Sequence, residues 1–562
     1  VGAARTDTAT AMSFGINTAH MRISPFHGAA YSVVESLSKL AAVGADALSA
    51  RLTFQEYFEK LGSDPVRWGK PAAALLGAMT AQIKLGVPSI GGKDSMSGSF
   101  NDIDVPPTLV SFALAMTSAQ RTVSAAFKQS GSRVVMLPIP QNNETLLPDW
   151  DKLSAMYKAV YELSCNGMIS AASSVREGGA AAALCRMCFG NGLGFAAAGE
   201  LSRQLLFAPQ TGALVLELAS DAVIPAGVEC IELGTTNDSG LFSVNGAELS
   251  VDELKNTWLA PLEDIFPNDP KAEVVMGETP LYTERAAYPS ILTNGIAKPR
   301  VFIPAFPGTN CENDSAKAFE LAGADVRVMV LRNLTPAAIE QSIDTMAELI
   351  SESQIIMLPG GFSGGDEPDG SGKFIATTLR NPRIAEAVTD LLDNRDGLML
   401  GICNGFQALI KLGLVPTGRI CDLTEDAPTL TFNTLGRHVS RTVYTRISSV
   451  KSPWLSLCEA GDVFTIPVSH GEGRFVANAE TLEQLSRNGQ IATSYCDLDG
   501  NPSDDILWNP NGSAFAIEGI TSPDGRVFGK MGHSERMGSN IIKNISGNKD
   551  QRLFESGVRY FK

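Results

Sequence analysis

Chemistry first becomes legible in this sequence at a cysteine set between glycines where an apolar run ends. Residues 397–407 read Gly-Leu-Met-Leu-Gly-Ile-Cys-Asn-Gly-Phe-Gln. The apolar stretch predicts a strand ending at Gly401-Ile402-Cys403, and the flanking glycines permit a sharp turn into a helix with the thiol at its start. A helix N-terminus favours the thiolate, the reactive form, and supplies backbone N–H groups that can stabilise an oxyanion. Cys403 is therefore a candidate nucleophile. A thiolate needs a base, and the chain has five histidines, at 20, 27, 438, 470 and 533. His533 follows the apolar run 526–528, and Glu535 stands two residues on. In extended backbone such residues point to the same side, so Glu535 can orient the His533 imidazole.

The elements that must position these groups begin at Pro299. Apolar segments at 300–306, 326–331, 355–361 and 398–403 alternate with amphipathic helices expected at 313–322, 336–350, 383–393 and 404–411. Strands apolar throughout, each followed by a helix, predict a doubly wound parallel sheet. Sites in such sheets lie at the carboxyl ends of the strands, which places Gly360, Gly361 and Cys403 on one rim.

The preceding residues read differently. Helices are expected over 29–43, where Val33, Val34, Leu37 and Leu40 recur at helical spacing, and over 71–85, with Gly86 closing the second. Between that helix and a strand at 108–117 lies Val-Pro-Ser-Ile-Gly-Gly-Lys-Asp-Ser-Met-Ser-Gly at 87–98, read as a glycine loop. In it Gly91 and Gly92 let backbone approach a phosphate, Lys93 brings charge, and Asp94 and Ser95 offer oxygens to Mg²⁺ or a ribose phosphate. A second α+β segment is expected after a boundary near 125–131, with helices at 150–164 and 177–188 and a strand at 212–218. Residues 256–298, with weak periodicity, read as a linker that wraps rather than packs.

Composition narrows the function classes. A chain of 562 residues with 44% hydrophobic and 19% charged residues is an enzyme-sized folded chain of three or four domains. The net charge of −16 is dispersed and leaves no basic footprint, so nucleic acid is not an expected partner. No apolar run reaches membrane-spanning length. Nine sparse cysteines suit a reducing compartment, and a cytoplasmic location is expected. Cys185 and Cys188 lack a second pair at zinc spacing and read as core. Cys311 reads as packing, and His470, in Ser-His-Gly-Glu-Gly-Arg, as a tight-loop residue near a ligand or a domain interface.

The motifs together carry a specific resemblance. Phe-Pro-Gly-Thr-Asn-Cys-Glu at 306–312, Leu-Pro-Gly-Gly-Phe-Ser-Gly-Gly-Asp at 358–366, Gly-Ile-Cys-Asn-Gly-Phe-Gln at 401–407, Val-Ser-His-Gly-Glu-Gly-Arg at 468–474 and Gly-His-Ser-Glu-Arg at 532–536 resemble the glutaminase domain of the phosphoribosylformylglycinamidine synthase family. Ala-Met-Ser-Phe-Gly at 11–15, Glu-Ser-Leu-Ser-Lys-Leu at 35–40 and Pro-Ser-Ile-Gly-Gly-Lys-Asp-Ser-Met-Ser at 88–97 resemble the second aminoimidazole-ribotide-synthetase-like repeat of its large, fused form. The resemblance implies an α/β and α+β multidomain chain: synthetase repeat subdomains at 1–125 and 126–255, the linker at 256–298, and a flavodoxin-like class I glutamine amidotransferase domain at 299–562.

It also implies roles. Cys403 would attack the side-chain amide of glutamine, with His533 as base and Glu535 as its orienting acid. Gly360 and Gly361 would serve the oxyanion, and Asn404 and Gln407 would join them in binding glutamine. Asp46 and the Gly91–Ser95 segment would meet nucleotide or substrate. ATP and Mg²⁺ are the implied cofactors, formylglycinamide ribonucleotide the co-substrate, and the N-terminal half of the same enzyme the missing partner. The long form of the family holds an auxiliary nucleotide through a Glu-x-x-x-Asn helix and an Asp-x-Ser-Asp-Gly-Gly loop. Here stand Glu35-x-x-x-Lys39 and Ser174-Val-Arg176-Glu177-Gly-Gly, so that metal site is expected to be altered, with Glu35 a remnant. The chain begins at Val1 and is expected to be a fragment lacking full synthetase activity. Two alternatives stay open: a free-standing glutaminase or cysteine hydrolase, and a non-catalytic assembly module for a partner synthetase.

Overall fold

The computed structural model describes residues 6–267, 273–286, 295–364, 372–538 and 541–562. Val1, parts of the expected linker and the last two residues of the 358–366 motif lie outside the described residues. Contacts divide the chain into two units, with the division between Pro261 and Leu262.

The N-terminal unit opens with β1 (Thr8–Gly15), α1 (Pro25–Ala42), β2 (Arg51–Tyr57), α2 (Pro65–Leu85), β3 (Ser89–Ser95) and β4 (Thr108–Ser118). Ser24 caps α1 by accepting from the backbone of His27, and Pro25 pre-sets its first turn. The helix α2 starts six residues before the expected position, because Asp64 caps it and Pro65 occupies its first turn. Pro71, expected near the start, lies inside. Gly86, in the left-handed region at φ +69°, ends it.

The strands form a sheet in the order β1-β4-β2-β3. On one face of β1 and β4, Met12 pairs with Leu114 and Phe14 with Phe112, and all four are exposed. The expected glycine loop is the edge strand β3, paired in parallel with β2 so that Gly91 lies opposite Thr53 and Asp94 opposite Glu56. A glycine-rich run bordered by Ser reads locally as a turn, but the open edge of β2 gives its backbone groups partners.

Next come β5 (Arg133–Leu137), α3 (Trp150–Cys165), β6 (Ile169–Ser174), α4 (Gly179–Phe189), β7 (Gly194–Ala197), β8 (Leu214–Leu218), β9 (Ile231–Asn237), β10 (Leu241–Val244) and β11 (Ala247–Ser250), whose strands form a sheet ordered β11-β10-β7-β9-β5-β8-β6. One hydrophobic cluster runs from Val33 and Leu37 of α1 through Val135 and Leu216 to Val160 of α3.

The C-terminal unit contains β12 (Arg300–Ala305), α5 (Glu312–Leu321), β13 (Asp325–Val330), α6 (Pro336–Glu352), β14 (Ile355–Leu358), α7 (Pro382–Asp393), β15 (Leu398–Ile402), α8 (Asn404–Leu412), β16 (Val439–Ile447), β17 (Val463–His470), β18 (Ile491–Tyr495), β19 (Ile517–Thr521) and β20 (Val527–Lys530). The sheet order is β13-β12-β14-β15-β20-β19-β18-β16-β17. Neighbours from β13 to β20 pair in parallel, as the alternating pattern predicts. Beyond β20 every pairing is antiparallel, an extension the sequence pattern did not reveal. The chain runs from β12 outward to β13 and then back to β14 on the other side, so the loops after β12 and β14 meet at a topological switch point.

Residues 273–286 carry no helix and lie along this unit. Val275 accepts from the backbone of Phe515 at 2.7 Å, Tyr282 exchanges backbone bonds with Ser448 and Val450, and the Arg285 guanidinium reaches the carbonyls of Leu455, Ser456 and Cys458. Among the described residues no helix is long and apolar enough to cross a membrane.

Candidate active site

Cys403 stands between β15 and α8 with φ +52° and ψ −107°, a conformation that costs a non-glycine residue on the order of 1–3 kcal/mol. Its neighbours explain how the turn closes. A Cβ on Gly405 would lie 2.0 Å from the Leu358 carbonyl oxygen, and one on Gly401 would lie 2.7 Å from Gly405 backbone. Neither position admits a side chain. The Cys403 N–H donates to the Lys530 carbonyl at 2.8 Å, tying this turn to the end of β20.

That strand leads directly to His533, whose N–H donates to the Pro467 carbonyl at 2.9 Å. Its Nδ1 lies 2.6 Å from Glu535 Oε1. With Nδ1–H donating to Glu535, Nε2 is left for the thiol side. Burial by itself lowers the His533 pKa, but the Glu535 carboxylate and the sulfurs of Cys311 and Cys403 reverse this and hold it well above the usual histidine value. Burial likewise works to raise Glu535, and the His533 charge and hydrogen bond bring it below the usual range. The pair is thus built as carboxylate and imidazolium.

One narrow cavity, with about 60 Å³ of free space, is lined by Cys403, His533, Gly361, Gln407, Ser469, His470, Glu472 and Arg536 among others. Gly360 does not line it but packs tightly behind it: a Cβ there would sit 2.8 Å from His533 Cε1, 3.2 Å from Cys311 Sγ and 3.5 Å from Cys403 Cβ. Its carbonyl accepts from the backbone of Asn310 and Cys311, which joins the loops after β12 and β14. Gln407 lines the cavity while its amide donates to the Glu472 carbonyl at 2.6 Å. Asn404 does not line it. The Asn404 amide donates to Gln407 Oε1 at 3.0 Å and accepts from the Ser363 N–H at 3.3 Å, so this side chain braces the glycine loop.

Lys530 and Glu518 escaped the sequence reading, whereas Cys311 and His470 were singled out in it. Cys311 is fully buried beside the histidine, with Sγ 3.9 Å from His533 Nδ1 and the Arg536 guanidinium donating to it at 3.2 Å. His470, read as a tight-loop residue near a ligand or a domain interface, is a buried wall of the cavity at the end of β17. Lys530 and Glu518 form a fully buried ion pair at 3.4 Å. Lys530 Nζ also donates to Ser534 Oγ, Gln551 Oε1 and the Gly532 carbonyl, and Glu518 accepts from the Gly532 N–H at 2.6 Å. The loop that carries His533 is therefore pinned on both sides of the histidine.

Donor atoms of Cys311, His533 and Glu535 lie within 4.8 Å of one another. Tetrahedral ligands at zinc distances stand about 3.3 Å apart. The 2.6 Å approach of His533 to Glu535 is closer than that and is a hydrogen bond.

In the N-terminal unit the expected site residues do not converge on one cavity. Asp46 caps a short turn by accepting from the Leu48 N–H at 3.0 Å. Gly91, Gly92, Lys93 and Asp94 are exposed along β3, with Ser95 half-buried at its end. Buried Glu35 accepts from the Ile16 N–H at 3.1 Å and pairs with Lys39 at 2.7 Å and Arg176 at 3.8 Å. Two cations occupy the neighbourhood where carboxylate and amide ligands would stand, so the residues present do not fit a divalent ion there.

Glu56 is the residue this unit adds. It is 1% exposed, both its carboxylate oxygens lack partners among the described residues, and burial with the adjoining Asp94 carboxylate pushes its pKa up to about 7. Folded Glu56 holds its proton up to that value while the unfolded chain releases it near 4.5, so stability falls as pH rises from about 4.5 through 7. Discounted for partial solvent screening, the loss is about 1–2 kcal/mol. Glu56→Gln should flatten this part of the profile and stabilise the protein at pH 8. Urea unfolding at pH 5 and pH 8 measures it, and an identical pH dependence in both proteins would remove the assignment.

Residues 298–561 match the CobB/CobQ-like glutamine amidotransferase domain family. The phosphoribosylformylglycinamidine synthase subunit PurQ of Methanococcus maripaludis is 36% identical over 242 residues, 42% of this chain and 82% of the relative. The PurQ subunit of Rhodospirillum rubrum is 36% identical over 256 residues, covering 46% and 96% of the two chains. Among solved structures, PurLQS from Thermotoga maritima aligns over 47% of this chain and 100% of that one at 27% identity, with a TM-score of 0.34.

Proposed function

We propose, from the premise that this chain belongs to the phosphoribosylformylglycinamidine synthase family through its glutamine amidotransferase part, that Cys403, His533 and Glu535 hydrolyse glutamine to supply ammonia. The observation that carries the reading is the strained Cys403 turn sharing one cavity with a His533 held 2.6 Å from Glu535. The Cys403 thiolate attacks the amide carbon of glutamine, and the C–S bond forms as the C=O electrons move to oxygen. Backbone N–H groups at Gly361 and at the start of α8 would stabilise that oxyanion. His533 then protonates the amide nitrogen, the C–N bond breaks and ammonia departs. Water, deprotonated by His533, cleaves the thioester and releases glutamate.

In the complete enzyme this ammonia displaces the formamide oxygen of formylglycinamide ribonucleotide after its activation by ATP, giving formylglycinamidine ribonucleotide, ADP and phosphate, a step of purine biosynthesis. The N-terminal unit supplies the second part of that synthetase. Gly91 to Ser95 and the unpartnered Glu56 oxygens beside Asp94 support this over a free-standing hydrolase, which has no use for them. Glu56 and Asp94 offer hard oxygen donors of the kind Mg²⁺ takes, and the cation would neutralise nucleotide phosphate charge when bound. The exposed apolar face of β1 and β4 is where the other synthetase half would pack.

Incubation with glutamine should release glutamate stoichiometrically with ammonia, and a diazoketone analogue of glutamine should label Cys403 alone. Labelling at another cysteine, or no glutamate release in the presence of the synthetase half, overturns the reading.

A further inference from the structure

The tautomer of His470 can be deduced from its surroundings. Asn433 donates through Nδ2 to two carbonyls, Arg437 at 3.1 Å and His470 at 2.9 Å. Its Oδ1 accepts from the Gly473 N–H at 3.1 Å. With donors and acceptors on both ends accounted for, the amide cannot be flipped. The His470 Nδ1 that lies 3.2 Å from Oδ1 must therefore carry the proton and donate it. Nε2 is left as a bare lone pair. It is buried, and among the described residues it has no hydrogen-bond partner.

A buried, unpaired acceptor requires a reason. The Nδ1 bond to Asn433 fixes the ring, which packs closely over Gly473: a Cβ there would be 2.5 Å from Nδ1 and 2.8 Å from Nε2. Nor can it take a second proton readily. Burial, with the charges of His533 and His438, holds its pKa down to about 3. Beside it, the Ser469 carbonyl oxygen lies 3.7 Å from Cys403 Sγ, and both residues line the cavity. The nucleophile is thus flanked by a surface that offers acceptors.

We infer that His470 Nε2 and the Ser469 carbonyl form an acceptor-only subsite for the two N–H groups of the substrate carboxamide, making His470 a residue that selects an amide over an ester or a carboxylate. This rests on the glutaminase reading. A carboxamide nitrogen brings two donors, one for each acceptor. An ester oxygen or either oxygen of the product carboxylate brings lone pairs against lone pairs, so the same surface that receives glutamine disfavours retention of glutamate.

The test compares two substrates in one preparation: glutamine, and glutamic acid γ-methyl ester, which lacks the amide N–H groups. For both, kcat/KM reports formation of the thioester, and their ratio does not depend on how much of a variant is folded. In His470→Leu the glutamine-to-ester ratio of kcat/KM should fall at least tenfold, mainly through the glutamine KM. In His470→Gln, whose amide oxygen can stand in as acceptor, part of the ratio should return. An unchanged ratio in His470→Leu, or an equal loss with both substrates, overturns the inference while leaving the glutaminase reading intact. A wild-type protein, assembled with its synthetase half, that cleaves neither substrate removes both.

Discussion

Cys403→Ala should abolish glutamine-dependent turnover and leave ammonia-dependent turnover in the complete enzyme unchanged. The first half of that expectation comes from local geometry. A methyl group cannot form the thioester, and the remaining oxyanion donors do not substitute for a nucleophile. A loss on the order of 10⁴-fold or more is the scale seen when a nucleophile acting as part of a unit is removed. The second half follows from the separation of roles. The buried Cys403 side chain contacts the cavity of the C-terminal unit, and Glu56, Asp94 and the β3 segment lie in the other unit. Free ammonia enters after the step Cys403 performs. Steady-state assays with glutamine or ammonium chloride as nitrogen source settle the matter. Loss of both activities in a folded variant would show that Cys403 is not confined to ammonia release.

The second large effect is on stability. Lys530 and Glu518 are both 0% exposed, and Lys530→Met would leave the Glu518 carboxylate buried without its cation. Breaking such a pair by removing one partner costs about 3–5 kcal/mol, a large share of the roughly 5–15 kcal/mol that holds a domain together. The loss would not be confined to stability, because Lys530 and Glu518 grip Gly532 and Ser534 on either side of His533. A folded Lys530→Met population should show a reduced kcat with glutamine. Adding Glu518→Gln removes the stranded charge and should recover part of the stability. Guanidinium unfolding of the single and double variants measures this, and a single variant within 1 kcal/mol of the parent would show the pair to be dispensable. Lys530 ends an apolar strand and looks, along the chain, like a solvated strand-end lysine. Only the enclosing partners at Gln551, Glu518 and Ser534 make it structural.

The same contrast runs through the site. Cys403 is legible because its requirement is local: glycines at 401 and 405 and an apolar run before them dictate a turn whatever lies around it. His533 and Glu535 are legible because two residues in extended backbone share a side. Their meeting with Cys403 follows from strand order, since β20 pairs beside β15, and parallel β-α alternation predicts only that strand ends gather on one rim. Where a placement depended on contacts between distant segments, the sequence did not supply its partners. Cys311 and His533 are 222 residues apart and touch only because the loops after β12 and β14 close on the end of β20. Gly91 to Ser95 looked like a loop because glycine and serine favour turns, yet an unpaired strand edge in β2 is a stronger claim on backbone groups.

By itself, then, the amino-acid order determined the sharp turn at Cys403, the pairing of His533 with Glu535 two residues apart, and the alternating half of the C-terminal sheet, all of which rest on interactions spanning a few residues. The tertiary structure alone decided the antiparallel half of that sheet, the buried Lys530–Glu518 pair, the cations around Glu35, and the bare lone pair of His470. Each of these depends on which groups are removed from water together, and that is set by packing between segments far apart in sequence.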